Sequence, residues 1–129
     1  MTLTITPIYA ALLALLFLVL SWRVIQYRQA KIISLGDTGD KNLLKRMRAQ
    51  ANWAEYTPIA LILMLLTELR GAPQVAVHLM GIALLTGRVL HAIGFASTPQ
   101  KIILRQIGMA LTLGMIALAA LGLIGHALI

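Results

Sequence analysis

The chain has 129 residues, 60% of them hydrophobic and 12% charged, with a mean hydropathy of +0.88 and a formal net charge of +7. That charged share is about half of what soluble domains carry, too little to cover a water-facing surface, so the expected fold is all-α, a single integral membrane four-helix bundle over residues 1–129. The absence of cysteine excludes disulfides, thiolate metal sites and a cysteine nucleophile, and no HExxH, GxSxG, P-loop or GxGxxG pattern is present.

The first apolar run is Ile5–Ile25, with Pro7 near its start, where proline is tolerated. "MTLTITPIYAALLALLFLVL" has no basic leader and no A-x-A-like closing site, and it is longer than the ~7–15 apolar residues of a signal peptide. It reads as a retained transmembrane helix. "LGDTGD" at 35–40 is turn chemistry. It lacks the acidic density and closing glutamate of a calcium loop, and Asp40 is placed to cap the next helix.

The second helix starts with a polar amphipathic stretch, Lys41–Asn52, and continues apolar to Leu66. Pro58 removes a backbone donor inside it, and a kink is expected there. The breaker "RGAP" precedes a third helix at Gln74–Phe95, and "STPQ" precedes a fourth at Ile102–Ile124. At about 20 residues per span, four helices leave no room for a soluble domain.

Basic residues gather in two places. Residues 22–50 hold Arg23, Arg28, Lys31, Lys41, Lys45, Arg46 and Arg48, and the third connection with its flanks holds Arg88, Lys101 and Arg105. The positive-inside rule then puts the first and third connections in the cytoplasm and both termini outside. The charge fits anionic headgroups; the aromatic-interleaved basic patches of a nucleic-acid binder are missing.

One stripe on the second helix stands out. With 100° per residue and Arg48 at 0°, Asn52 falls at about 40°, Lys45 near 60°, Tyr56 at about 80° and Glu55 at about 340°, while Gln50 points away at about 200°. Ionisable groups at such depth face a bundle interior, a cavity or a partner. An arginine fork suits a carboxylate and a glutamate suits an ammonium group, so the stripe matches a zwitterionic ligand. The plainer alternative is an Arg48–Glu55 pair between helices, with Asn52 as interhelical glue.

On the third helix Arg88, His91 and Phe95 share a face at i, i+3, i+7. His91 is a candidate base or hydrogen-bond donor, or a packing histidine; Arg88 is expected to snorkel toward headgroups. On the fourth helix Arg105, Gly108 and Thr112 share a face, and Gly114, Gly122 and Gly125 add close-approach points for packing. Arg105 is expected to reach either a ligand or lipid headgroups. His78 and His126 read as interfacial, without a role.

"RAQANWAEY" followed by Pro58 resembles the signature of the MAPEG superfamily, the membrane-associated proteins in eicosanoid and glutathione metabolism, whose pattern is roughly R-A-x-x-N-x-x-E-Y-x-P. Arg48, Ala49, Asn52, Glu55, Tyr56 and Pro58 all match. "GRVLHAIGF" and, more loosely, "RQIGM" extend the resemblance, which looks most like the small bacterial members. It implies a homotrimer in the bacterial inner membrane, with glutathione as co-substrate bound between protomers near the cytoplasmic face and no metal. Arg48, Asn52, Glu55 and Tyr56 become glutathione contacts, with His91 and Arg88 as further candidates and Gln50 contributing from a neighbouring protomer. Arg23 or Arg28 is a further candidate cation. The eukaryotic enzymes carry tyrosines where this chain has His91 and Phe95. Arg105 is the candidate for thiol activation, with Lys101 second. The implied activity is a glutathione transferase or peroxidase acting on lipophilic electrophiles. The alternative is a lipid- or glutathione-binding membrane protein without turnover.

Overall fold

A computed structural model describes residues 2–129. They form four helices joined by short connections: α1 (Thr6–Lys31), α2 (Lys41–Leu69), α3 (Gln74–Ala96) and α4 (Ile102–Leu128). The connections lie where the breakers place them, but α1 runs on past Ile25 to Lys31 and α4 past Ile124 to Leu128, because helix continues beyond the apolar run. α1 opens with proline in its first turn and stops at Ile32, a left-handed residue at φ 56°. Gly36, Thr38 and Gly39 also have positive φ, and Asp37 Oδ1 accepts from Gly39 N at 2.8 Å, so "LGDTGD" is the turn its composition indicates. Asp40 caps α2, its side chain accepting from the N–H groups of Asn42 and Leu43.

At 1.5 Å per residue the helices run about 35–44 Å, more than the ~30 Å of a bilayer core. α1, α3 and α4 are long and apolar enough to cross a membrane. The sequence reading counts α2 as a fourth span. It has the length, 29 residues, but by composition only its second half is apolar, because Lys41–Tyr56 carries the polar stripe. Its surroundings make this tolerable: α2 packs against each of the other three helices, whereas α1 and α4 do not meet among the described residues.

Fully buried Leu13, Met64, Val77 and Leu84 bring α1, α2 and α3 together, and Met115 joins them from α4. Large apolar side chains point outward instead on α1 (Leu15, Leu18, Val19) and α4 (Leu118, Leu121). Such an exterior suits lipid tails.

The α3–α4 seam is the closest. A Cβ on Gly87 would sit 2.8 Å from Gly108 O, and one on Gly94 would sit 2.8 Å from Arg105 N. These two backbones meet through glycine because no side chain fits between them. Gly108 thus behaves as its spacing indicates. Gly114, Gly122 and Gly125 do not: a Cβ on any of them would meet nothing within 4 Å. A side chain on any of the three would enter open space instead of meeting α3.

Two ties cross the bundle at the end opposite the first and third connections. Glu68, at the end of α2, accepts from the backbone N–H groups of Thr4 (3.3 Å), Ile5 (2.8 Å) and Thr6 (2.9 Å). It supplies the cap that α1 lacks in its own sequence. His78 is not idle at the surface: its Nδ1 lies 2.9 Å from Tyr9 Oη, with the rings edge to face.

Candidate functional site

Polar residues converge at the end of the bundle where the first and third connections lie. The stripe on α2 turns toward α3 and α4, and Arg88 meets it there. Arg88 is only 2% exposed. Its Nε donates to Thr112 Oγ1 at 3.0 Å, one terminal nitrogen donates to Asn52 Oδ1, and the other reaches Met109 Sδ at 3.2 Å. The guanidinium also stands 6.0 Å from the centre of the Tyr56 ring. The expected snorkelling does not occur. Arg88 lies on the side of α3 that faces α2 and α4, so its fork is bound by oxygens of both neighbours. It is the pin of a three-helix network, tying Asn52 in α2 to Thr112 in α4.

Above this network lies a cleft of about 350 Å³ lined by Arg48, Asn52, His91, Phe95, Arg105 and Gln106, with Ile102 and Met109 at its apolar edge. Its volume falls within the ~300–1,000 Å³ usual for small-molecule sites. His91 is 3% exposed and packs against Phe95, ring centres 5.0 Å apart. Arg105 lies over the Phe95 ring, its guanidinium carbon 3.8 Å from the centroid. One of its terminal nitrogens donates to Gln100 Oε1 at 2.7 Å, while its Nε is buried without a hydrogen-bond partner. Arg105 is therefore stacked and tethered rather than splayed into lipid, with a donor left over.

Arg48 and Glu55 form an ion pair at 3.1 Å, each side chain about half exposed at 48% and 50%. The pair is formed within α2, across two turns, and not between helices as the plainer reading has it. At that exposure it contributes at most about 1 kcal/mol, so a ligand can replace it at little cost. Gln50 points away from the stripe, as its helical angle requires, and its amide donates to Ser21 Oγ of α1 at 3.0 Å. Arg28 is committed to the first connection, donating to Ile33 O (3.3 Å) and Gly36 O (2.8 Å).

The structure thus brings Arg48, Asn52, His91 and Arg105 around one cleft. Glu55 joins through Arg48, and Tyr56 and Arg88 stand beside Asn52. Gln50 alone is on another face. Sequence reasoning missed Gln106 and Gln100. Gln106 was within reach of it, since Ile102, Arg105, Gln106 and Met109 follow i, i+3, i+4, i+7. Gln100 lies in the third connection, where no periodicity operates.

Residues 6–125 match the MAPEG family. The chain is 41% identical over 91 residues to the inner membrane protein YecN of Escherichia coli strain K12, covering 70% of each chain. It matches YecN of Escherichia coli O6:H1 to the same extent. No solved structure matches it. With a family match over nearly its whole length, and with Arg48 and Asn52 of "RAQANWAEY" lining the cleft, the chain belongs to the MAPEG family.

Proposed function

We propose that this protein is an inner-membrane, glutathione-dependent transferase or peroxidase, working as a homotrimer on lipophilic electrophiles. The observation that supports it most is the convergence of two arginines, an asparagine and a histidine on one cleft, with a glutamate attached through Arg48. Glutathione offers two carboxylates, an ammonium group and a thiol. Arg48 and Glu55 suit its amino-acid end: the fork takes a carboxylate and the glutamate takes the ammonium, so the ion pair of the free protein is exchanged for two. Asn52 is held in place by Arg88 and presents its amide to the ligand backbone. In a trimer, Gln50 and Ser21 are the pair turned toward a neighbouring protomer's site. The orientation proposed puts the cleft near the cytoplasmic face.

Arg105 is the candidate for activating the thiol. An unperturbed thiol has a pKa near ~8.5, so little thiolate exists at neutral pH. Lowering it by about two units takes ~2.7 kcal/mol of differential stabilisation, within the capacity of one guanidinium in a partly dry cleft. The thiol proton leaves to water. The sulfur lone pair forms a C–S bond at the electrophilic carbon, and the leaving group departs with the pair it shared with that carbon. The electrophile enters past Ile102 and Met109. A binding-only role is the second reading. What favours it is that Arg105 is already engaged by Gln100 and Phe95.

The test is thermal stabilisation of the detergent-purified protein by glutathione, alongside conjugation of glutathione to an aryl halide. Arg48→Ala and Glu55→Ala abolish stabilisation; retention of it in both refutes the site. Arg105→Ala lowers turnover more than binding, and equal losses refute its role. Stabilisation without turnover in the unaltered protein selects the binding-only reading.

A further inference from the structure

We propose that a second pocket, at the same end of the bundle but on the α1 side of α2, binds a phosphate group. It holds about 230 Å³ and is lined by Arg23, Tyr27, Asn42, Lys45, Arg46 and Thr98, together with apolar residues. Three of these side chains are cations, and no acidic residue lines the pocket. It shares only Phe95 with the cleft proposed for glutathione.

Basic residues at the ends of membrane helices are ordinarily solvated or in loose contact with headgroups. These are fixed. Arg46 donates to Arg23 O at 2.8 Å and stacks over the Tyr27 ring at 4.8 Å. Lys45 reaches across to the third connection, its Nζ 3.4 Å from Ser97 O and 3.2 Å from Thr98 Oγ1. The Asp40 carboxylate lies outside the lining, where it accepts from Tyr27 Oη at 2.7 Å and from the N–H groups of Asn42 and Leu43. Three like charges therefore line one hollow, and two of them are held by bonds, Arg46 to α1 and Lys45 to the third connection. Holding side chains in advance removes part of the ordering cost of binding.

The ligand chemistry follows from the donors. Two guanidinium forks, an ammonium and the Asn42 amide offer many N–H groups and match an anion with several acceptor oxygens, which a tetrahedral phosphate provides. The phosphate belongs either to an anionic phospholipid headgroup, since the pocket lies where the spans end, or to a soluble phosphate compound.

The experiment uses full-length protein in a non-ionic detergent. Thermal stability is measured against inorganic phosphate, with sodium chloride holding the ionic strength constant. It is measured separately in micelles doped with phosphatidylglycerol or with phosphatidylcholine, whose own cation competes for its phosphate. The proposal expects stabilisation by inorganic phosphate, which assigns a soluble ligand, or by phosphatidylglycerol alone, which assigns a lipid. Arg23→Gln weakens the response at least tenfold. Lys45→Gln, which leaves α1 untouched, gives the same loss if the first variant does not fold. Arg48→Ala, which abolishes the glutathione response, retains the phosphate response. Lack of stabilisation by either probe overturns the proposal. So does a response that survives both pocket variants, or one that disappears with Arg48.

Discussion

Replacing Arg88 with methionine isolates what the buried guanidinium does. The substitution keeps much of the length and removes the charge. Arg88 donates to two oxygens, Asn52 Oδ1 and Thr112 Oγ1, and hydrogen bonds to a charged group are worth about 1.5–3 kcal/mol each. The gross loss is thus roughly 3–6 kcal/mol. Against it stands the desolvation of a cation at 2% exposure, which costs about 2.5–3.5 kcal/mol for arginine on insertion scales. The two acceptors also fare differently. Thr112 Oγ1 keeps its own bond to Gly108 O at 2.9 Å, whereas Asn52 loses the partner that orients it, at about 1–3 kcal/mol for an unsatisfied polar group. The expected net destabilisation is therefore about 1–3 kcal/mol, set by Asn52. Asn52→Leu strands the guanidinium instead and costs at least as much. In the double variant neither partner is stranded, so its loss falls short of the sum by about 1–2 kcal/mol. The assay is equilibrium unfolding in mixed micelles over the four proteins, with glutathione stabilisation measured in parallel. Additivity within about 0.5 kcal/mol refutes the network as a unit.

Two further perturbations probe the frame. At Gly108 a Cβ would lie 2.7 Å from His91 N and 2.8 Å from His91 Cβ, so Gly108→Ala costs about 1–3 kcal/mol by overpacking, whereas Gly114→Ala, with nothing within 4 Å, gains up to about 1 kcal/mol in helix propensity; equal unfolding midpoints for the two refute the close seam. The Tyr27 hydroxyl, aided by the Leu43 and Asn42 N–H groups, holds the Asp40 carboxyl below its ordinary value despite partial desolvation. A depressed carboxyl contributes stability above its unfolded pKa, near about 4, and that stability is lost as pH falls through the folded value, so Asp40→Asn flattens the acid limb of the stability curve; an unchanged acid limb refutes the assignment.

The helices were legible because their signals are local: apolar runs of bilayer length, with Gly, Pro and Asp at the breaks. The α2 stripe was legible for the same reason, since 100° per residue fixes which side chains share a face. The partner across a face is another matter. Periodicity placed Arg88 beside His91 and Phe95 but carried no information on whether its fork meets headgroups or the oxygens of Asn52 and Thr112. The same limit hid the Tyr9–His78 contact and the three N–H groups gathered by Glu68, which join residues more than sixty positions apart. Composition counted every glycine on α4 as a contact, yet only Gly108 faces α3.

The bonds from Glu68 to the start of α1 bear on how the chain is assembled. They pin α1 to α2 at one end, and the Tyr27–Asp40 and Arg46–Arg23 contacts pin them at the other. The first helix on its own leaves its leading N–H groups without a partner, in a setting where unsatisfied backbone is costly. The smallest complete piece is thus the α1–α2 hairpin, and the glycine-mated α3–α4 pair is a second. The cleft is lined by α2 from one hairpin and by α3 and α4 from the other, so it exists only where the two dock, and a ligand that fills it stabilises that docking.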